Sequence, residues 1–487
     1  MTSMRANLAL LVALACLACT ACGTTGATME DEPEPVLVSE VAAPVEAEAP
    51  GAPSAATKVP EGEVAPAVAK SEPPAPATRE LEEVIVEAPR ERHEIILDLV
   101  TQAQQLLDGV ELEYVLTGKG RKQTLRGRPV AFALWSDAQK QWTIAHLEIP
   151  RPPIKWKPGR KPFPFTLLTP GVTATHVKGT GAERLMFAFS KGGEPLKVYG
   201  RKFPVFDSNL IARKRWQDVI RTATPIVYLP ANADTLDPEF VSGGKEFLLA
   251  TANEALEQLR HAQVPSVAFP GELLADVIPA NVIAALAVIE QTDDADYLSK
   301  GNAAFDNVLS QYGLKRNEAY RYSVSSAKAL GPMQFTDRRG NGTYSMVVRR
   351  CRGASLDWNF ERGATNLLNA MKAAICLFDI ELAQMRAEIR DPYRGNPEVL
   401  GIFPVAAYNG GPRNVVKLYR VMQRMDVRLE DLRLPGERPP GDWVSCPCVW
   451  TEDLMGGGGV RPVPIPRYNN ENRWYVEKYQ NILRMFE

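Results

Sequence analysis

The chain has 487 residues, of which 45% are hydrophobic, so it can build a sizeable core and is neither a mini-protein nor disordered throughout. Its 56 Lys and Arg against 58 Asp and Glu give a formal charge of -2, which excludes the strong basic field typical of nucleic-acid-binding proteins. With this balanced charge we expect no nucleic-acid partner. Because the four His residues stand far apart in no metal-binding spacing, we also expect no metal site.

The first residues have the layout of a secretory signal: Arg5, an apolar run over residues 8–19, and the sequence Thr20-Ala21-Cys22-Gly23. The run is too short to span a bilayer as a helix. Small residues before a Cys resemble the lipobox of bacterial lipoproteins, which implies a signal peptide over residues 1–22 and a lipid anchor on Cys22, with Cys19 as the alternative. Because no Asp follows Cys22, the resemblance implies a periplasmic protein anchored to the outer membrane. An ordinary cleaved signal is the other interpretation.

Residues 23–79 are predicted to form a disordered linker. Residues 29–78 contain ten Pro, ten acidic residues, two Lys and no aromatic residue, which is too little apolar surface to offset the entropy of ordering. A Pro-rich segment whose charges repel one another stays extended. We therefore expect a tether that holds the following domains away from a membrane anchor.

Residues 80–242 are predicted to form a β-rich accessory domain with one helix near residues 95–107. Short apolar runs separated by Gly and Pro are typical of strands. They lie at residues 84–86, 131–135, 142–144, 185–189, 198–199 and 226–228. Residues 151–217 carry fourteen Lys and Arg against three acidic residues, with aromatic residues between them. This stretch suits an anionic polymer or a saccharide, or is an ordinary solvated basic face.

From about Gly243 the spacing of apolar residues becomes helical, so residues 243–487 are predicted to form a mainly α-helical domain and the whole chain an α+β fold. Four segments of this region carry chemistry. The first is an apolar helix that ends in Glu290, and the second contains Gly331-Pro332-Met333-Gln334. The third is an Asn-containing helix over residues 363–371, and the fourth contains Ala407-Tyr408-Asn409-Gly410-Gly411.

Together and in this order, the four segments resemble the soluble lytic transglycosylase family. The resemblance covers residues 273–486, and the ordered pair of the second and fourth motifs is its most specific part. It implies a catalytic domain with the goose-type lysozyme fold. It also implies that the chain cuts the β-1,4 bond between N-acetylmuramic acid and N-acetylglucosamine (MurNAc-GlcNAc) in peptidoglycan glycan strands, forms a 1,6-anhydro ring and uses no cofactor.

Glu290 is the predicted catalytic residue. Cleavage of a glycosidic bond requires an acid that protonates the leaving oxygen. Apolar neighbours such as Ile289 shield the Glu290 carboxyl from water and favour its protonated form. The resemblance implies that the same carboxylate then accepts a proton from the 6-hydroxyl of the substrate, as that oxygen attacks the anomeric carbon and no water enters.

The other matching residues are candidates for substrate binding. Met333 offers an adaptable apolar contact, Gln334 offers donors and an acceptor, and Tyr408 offers a hydroxyl that can hold Glu290 in place or contact the sugar. Asn409 is expected to fix the loop that presents Tyr408, and the resemblance implies a serine contact. The candidates are Ser325, Ser326, Met333, Gln334, Tyr408 and Asn409.

Three features depart from the family pattern. Gln291 stands where the family has Ser, and Lys328 stands where it has Gly. Glu290 and Gln334 are 44 positions apart, a wider spacing than the family has, which predicts an insertion between them. Glu318 lies sixteen residues before Gln334 and is the alternative catalytic residue, although the polar sequence before it predicts a poorly desolvated carboxyl.

Three other functions stay open on the sequence alone, and in one of them the basic middle domain is the functional part and the helical domain its carrier. Asp293, Asp294 and Asp296 follow Glu290, and one of them across the cleft would direct a water and make the enzyme a muramidase-type hydrolase. Capping and solvation of a loop is the ordinary role of such residues. A chain that has kept a saccharide groove and lost turnover would be a non-catalytic peptidoglycan-binding or scaffolding lipoprotein.

Four cysteines remain after processing, namely Cys351, Cys376, Cys446 and Cys448. In an oxidising periplasm they can form up to two disulfides, and three connectivities are possible. We expect these bridges to tie the Gly- and Pro-rich segment over residues 435–466 onto the helical domain.

The end of the chain predicts one more helix. Tyr475, Tyr479, Ile482 and Phe486 recur at intervals of 4, 3 and 4 residues, which places them on one helical face. We expect this face to dock on the catalytic domain and complete it.

Overall fold

The structure is a computed structural model, and it describes residues 90–152, 154, 156, 161–181, 185–229, 232–325, 328–337, 340–436, 448–452, 459–465 and 470–486. The predicted signal peptide with Cys19 and Cys22, the tether, the run at residues 84–86, Ser326 and Cys446 lie outside these residues. Helices and strands both run through the described chain, so the predicted α+β class is confirmed. Among the helices of these ranges, not one has the length and hydropathy that a bilayer crossing requires.

The first half of the described chain is built on an antiparallel sheet. It begins with helix α1 (Arg92–Asp108), which confirms the predicted helix, and continues with the strands β1 (Leu116–Thr117), β2 (Thr124–Leu125), β3 (Arg128–Ser136), β4 (Gln141–Ile149), β5 (Thr166–Leu167), β6 (Val172–Lys178), β7 (Met186–Lys191), β8 (Glu194–Val205) and β9 (Thr224–Tyr228). Strands β1 and β2 pair with each other. The others form one sheet in the order β5-β4-β3-β8-β7-β6, with β9 paired to β8. The strands predicted between residues 131 and 228 are therefore confirmed.

Helix α1 packs on one face of this sheet, where small residues leave room for it. Ala131 and Ala133 of β3 contribute to the core beneath α1, whereas Phe132 points to the core on the opposite face. A Cβ on Gly200 would lie 2.8 Å from Cδ1 of Leu107, so any side chain there would require the Leu107 side chain to move. The sheet is covered closely because these positions carry small side chains.

A buried lysine caps the end of helix α1. Nζ of Lys202, from β8, donates hydrogen bonds to the carbonyl oxygens of Leu107 at 2.9 Å, Asp108 at 3.1 Å and Val110 at 2.8 Å. The last carbonyls of a helix have no partners within it and carry partial negative charge. The ammonium group satisfies them and fixes α1 to the sheet.

Helices dominate the rest of the described chain. Two of them, α2 (Ser208–Ala212) and α3 (Trp216–Arg221), precede β9. After β9 come α4 (Pro238–His261), α5 (Ala280–Gln291), α6 (Asp294–Lys300), α7 (Ala303–Lys315), α8 (Thr343–Arg350), α9 (Phe360–Thr365), α10 (Leu367–Ala383), α11 (Ala387–Tyr393), α12 (Pro397–Leu400), α13 (Ile402–Gly410) and α14 (Pro412–Arg424). A small antiparallel sheet, with β10 (Leu432–Arg433), β11 (Cys448–Glu452) and β12 (Val460–Pro464), and helix α15 (Asn470–Leu483) follow.

The sheet and the helices pack together. Helix α4 starts at Pro238, where the side chain of Asp237 accepts a hydrogen bond from the backbone nitrogen of Glu239, so this helix begins before the predicted domain start at Gly243. From Arg92 onward the described residues belong to one compact unit. The division into domains at residues 242 and 243 stays a prediction.

Helix α5 lies at the centre of the helical core. Every residue from Val282 to Ile289 is at most 2% exposed. Helices α4 and α15 pack against it, and its alanines allow them to approach closely. The buried part of α5 ends at Ile289, so the next residue lies at the edge of the core.

One disulfide joins Cys351, at the end of α8, to Cys376 in α10. Both cysteines belong to the helical core region, so the prediction that the bridges tie residues 435–466 onto it is wrong for this pair. Closure of a loop of 25 residues stabilises a fold by roughly 3 kcal/mol in the chain-entropy treatment. Cys448 is also disulfide-bonded, and its partner lies outside the described residues.

Helix α15 docks as predicted, with Tyr475, Tyr479 and Ile482 buried. The buried surface of α15 extends beyond its apolar face, because Glu477 and Lys478 are also at most 2% exposed. The helix is therefore enclosed by its neighbours, and its polar residues need partners inside the protein.

Candidate active site

Glu290 lies in the last turn of helix α5, where the apolar core meets the surface. Ile289 before it is 2% exposed, whereas Glu290 is half-buried. The hydroxyl of Tyr475, a buried residue of α15, donates a hydrogen bond to Oε1 of Glu290. Two packed helices therefore set the orientation of this carboxyl group.

The turn with Gly331-Pro332-Met333-Gln334 is tied directly to the end of α5. Nε2 of Gln291 donates hydrogen bonds to the carbonyl oxygens of Gly331 at 3.1 Å and Pro332 at 3.0 Å. Gln291 is the residue that stands in place of the Ser expected from the resemblance. Its longer amide side chain reaches the turn and holds it beside the acid.

This turn depends on left-handed backbone conformations. Gly331 has φ +80°, and a Cβ there would lie 2.7 Å from the carbonyl carbon of Ala364 in α9. Gln334 has φ +48°, and its Nε2 donates to the carbonyl oxygens of Gly331 at 2.8 Å and Ser323 at 3.2 Å. The amide nitrogen of Gln334 thus braces the turn, whereas the prediction gave its donors to a sugar.

Tyr408 closes the other side of the turn from the last turns of α13. Its hydroxyl donates to the carbonyl oxygen of Met333 at 2.6 Å. Burial, and next the negative charge of Glu290, raise the pKa of Tyr408 well above its ordinary value, so the hydroxyl stays protonated and lies within electrostatic reach of the acid. One of the two roles predicted for Tyr408 was to hold Glu290 in place. Tyr475 donates the hydrogen bond that does so, whereas Tyr408 bonds Met333.

The remaining predicted binding residues divide between core and surface. Met333 is fully buried, so its side chain packs in the core and offers no surface to a sugar, contrary to the prediction. Oγ of Ser325 accepts a hydrogen bond from the backbone nitrogen of Ala329 at 3.1 Å and closes a local turn. Asn409 is half-buried and follows Tyr408 in α13. Ser326 lies outside the described residues.

The alternative acid, Glu318, lies in an exposed one-turn helix after α7. Its side chain is 61% exposed and forms an ion pair with Arg321 at 2.8 Å. This environment leaves the carboxyl group solvated. The structure therefore agrees with the expectation that Glu318 is poorly desolvated.

The three aspartates after Glu290 have structural partners. Asp293 caps helix α6 by accepting hydrogen bonds from two backbone N–H groups. Asp294 forms an ion pair with the buried Lys478 of α15, and Asp296 forms one with Lys178 of β6 at 3.4 Å. These contacts correspond to the ordinary capping role and tie the loop after α5 to its surroundings.

The apolar repeat predicted the helix of Tyr475, but it did not indicate that Tyr475 belongs to the site. An apolar repeat shows which face of a helix is buried, but it does not show which buried hydroxyl meets a polar atom. A tyrosine on a buried face needs a hydrogen-bond partner for its hydroxyl, and this requirement was the available signal.

Among the described residues, the chemistry of this site comes from the carboxyl group of Glu290, the phenol hydroxyls of Tyr408 and Tyr475, and side-chain amide groups. Across the described ranges, no three His, Cys, Asp or Glu side chains are grouped so that they could hold a metal ion. Compared with known protein families, characterised proteins and solved structures, the chain gives no match. The function is therefore inferred from the residues and their geometry.

Proposed function

We propose that the protein is a peptidoglycan lytic transglycosylase with a lysozyme-like helical domain, and that Glu290 is its catalytic acid and base. The strongest support is that segments distant in the sequence contact one another beside Glu290. Gln291, beside the acid, bonds the turn at Gly331, which packs on Ala364 and is closed by Tyr408. Four segments that are far apart in the sequence are thus joined by contacts that start beside one half-buried carboxyl.

The proposed reaction has two steps on the same carboxyl. Glu290 first protonates the oxygen that bridges MurNAc and GlcNAc, and the bond between that oxygen and the anomeric carbon breaks. The carboxylate then accepts the proton of the MurNAc 6-hydroxyl, whose oxygen bonds to the anomeric carbon and closes the 1,6-anhydro ring. The proton returns to Glu290, and no water is consumed. A single carboxyl therefore suffices.

Tyr475 is proposed to position this carboxyl and to stabilise it when charged. Its hydrogen bond engages Oε1 of Glu290 and so fixes one oxygen of the carboxyl group. After the first step the carboxylate is negative, and a hydrogen bond to a charged group contributes about 1.5–3 kcal/mol. The bond thus favours the state from which the second step starts.

The hydrolase alternative receives less support from the contacts around Glu290. A water-directing base has to face the anomeric carbon from the opposite side of the sugar. Asp293, Asp294 and Asp296 are instead engaged in a helix cap and in ion pairs. The non-catalytic alternative is an outcome of the cleavage experiment below.

We also propose that the protein works in the periplasm, anchored to the outer membrane through a lipid on Cys22, with residues 23–79 as its tether. The disulfide between Cys351 and Cys376 supports an oxidising compartment, where such bonds persist. Cys22→Ala should release the protein from isolated membranes into the soluble fraction. Retention of this variant on the membrane would contradict the anchor.

The decisive experiment is digestion of purified sacculi by the full-length chain in mild detergent, followed by mass spectrometry of the products. We expect anhydro-muropeptides, each lighter by one water than the product of hydrolysis. Glu290→Gln should lower the rate by about 10²–10⁴-fold, the range for loss of a general acid–base. Glu318→Gln is the matched control and should cleave normally.

Each other result points to a different function. Products with reducing ends would identify a muramidase-type hydrolase. Binding to sacculi without any product would identify a non-catalytic wall protein. An active Glu290→Gln variant beside an inactive Glu318→Gln variant would move the catalytic role to Glu318.

A further inference from the structure

Trp358 is the most exposed large hydrophobic side chain in the described part of the chain, with 74% of its surface open to solvent. Single exposed apolar residues are common on protein surfaces, so exposure alone indicates nothing. What distinguishes Trp358 is the rigid frame on both sides of it and the place where that frame is attached.

The residues on either side of Trp358 are fixed by hydrogen bonds. The backbone nitrogen of Asp357 donates to Oδ1 of Asn369 at 2.9 Å, and its carbonyl oxygen accepts from the hydroxyl of Tyr344 at 2.7 Å. The carboxylate of Asp357 accepts from the backbone nitrogen of Asn359 at 2.8 Å. The indole therefore projects from a backbone that is already ordered, so binding through it requires little further ordering.

This frame continues directly into the wall of the proposed active site. The ring of Tyr344 packs on Phe335, the residue after Gln334, with ring centroids 5.5 Å apart. Helix α9 starts two residues after Trp358, and its Ala364 is the residue that contacts Gly331. Ala364 lies four residues into α9, a rise of about 6 Å from Phe360, and Trp358 precedes the helix by two residues.

The surroundings of the indole decide what kind of ligand suits it. Arg362, whose side chain is 71% exposed, pairs with Asp357 at 3.0 Å, and Asn359 lies on the other side of Trp358. A membrane or a protein partner would need a wider apolar patch. A pyranose ring has one apolar C–H face and a rim of hydroxyl groups, which matches an isolated aromatic plane with polar groups at its edge.

We propose that Trp358 is a stacking platform for a sugar ring of the glycan strand, at a distance from the bond that is cut. This inference rests on the proposed function and adds a specificity element to it. Long strands reach both Glu290 and Trp358, whereas short fragments reach one of them. The site therefore favours long glycan strands.

The test measures binding by isothermal titration calorimetry, with the full-length Glu290→Gln chain so that no substrate is consumed. The probes are the disaccharide and the hexasaccharide of β-1,4-linked N-acetylglucosamine. Trp358→Ala should weaken binding of the hexasaccharide roughly tenfold and leave binding of the disaccharide unchanged, because loss of an aromatic anchor has an effect of this size. Trp358→Phe should restore most of the affinity.

A matched control and separate outcomes keep the two proposals distinguishable. Val267→Ala removes another exposed apolar side chain, 57% exposed, and should bind both probes normally. Equal affinity of the Trp358→Ala variant and its parent for the hexasaccharide would overturn the inference. Hexasaccharide binding that depends on Trp358, together with no release of anhydro-muropeptides from sacculi by the chain that retains Glu290, would uphold the platform and refute the enzyme. No binding of the hexasaccharide by the parent chain would overturn the platform, and the enzyme would then be judged by the digestion of sacculi alone.

Discussion

Replacing Gly331 with Ala tests whether the turn beside Glu290 is as tightly built as its contacts indicate. The φ of +80° lies in the left-handed region, where a side chain costs about 1–2 kcal/mol. The new Cβ would also lie 2.7 Å from the carbonyl carbon of Ala364, which belongs to packed helix backbone and has no rotamer to change. Forced displacement of a packed core costs about 1–3 kcal/mol more. We therefore expect a loss of roughly 2–5 kcal/mol in the free energy of unfolding.

Gly171→Ala separates the two contributions. Gly171 has a similar φ of +74°, but a Cβ there would meet no atom within 4 Å. This variant should lose only the conformational part, about 1–2 kcal/mol. Urea unfolding followed by circular dichroism gives both values in the same chain, and cleavage of sacculi should fall in the Gly331 variant alone. Equal losses of stability in the two variants would refute the close contact between the turn and α9.

Three further predictions concern groups that the structure buries. Tyr475→Phe should lower the cleavage rate about tenfold or more, because the charged form of Glu290 loses its hydrogen bond. Circular dichroism should show an intact fold for this variant. Full activity would exclude the positioning role. Lys202→Met should lower the free energy of unfolding by about 2–4 kcal/mol, because three carbonyl oxygens at the end of α1 lose their donor, and an unchanged melting temperature would contradict this. Burial raises the pKa of Glu381 from 4.5 to about 7, so its ionisation opposes folding fully above pH 7 and not at all below pH 4.5. Glu381→Gln should therefore stabilise the chain by about 2–3 kcal/mol at pH 8 and by nothing at pH 4, and an equal gain at both pH values would contradict the burial argument.

Local signals in the sequence predicted much of the fold. The strands β3 and β4 and the helix α1 follow from apolar runs and their spacing, because these patterns depend on residues close together in the chain. The position of Glu290 in the last turn of α5 was predicted for the same reason. A buried helix rich in Ala and Ile that meets a carboxyl residue is visible without any tertiary information.

Local sequence signals could not predict the contacts between residues that are distant in the chain. The hydrogen bond from Tyr475 to Glu290 joins positions 185 residues apart, and the disulfide joins Cys351 to Cys376, although the sequence allowed three connectivities. The burial of Met333 also depends on tertiary packing, because a methionine is equally suited to a core and to a binding surface. These features arise from how helices pack, and the periodicity of one helix does not specify its neighbours.

The wide spacing between Glu290 and Gln334 has its explanation in helices α6 and α7. Helix α7 packs on α4 so closely that a Cβ on Gly313 would lie 2.8 Å from the carbonyl carbon of Phe240, so these residues are built into the helical core and not laid across the turn. The chain leaves the end of α5, forms both helices and returns to the turn, and the amide of Gln291 then bonds the carbonyl of Gly331 directly. One hydrogen bond thus joins the residue after Glu290 to the turn at Gly331, which lies 40 positions further along the chain. Glu318 is nearer to Gln334 along the chain, yet it lies at the exposed end of these helices, so contact in space favours Glu290 where sequence spacing favours Glu318.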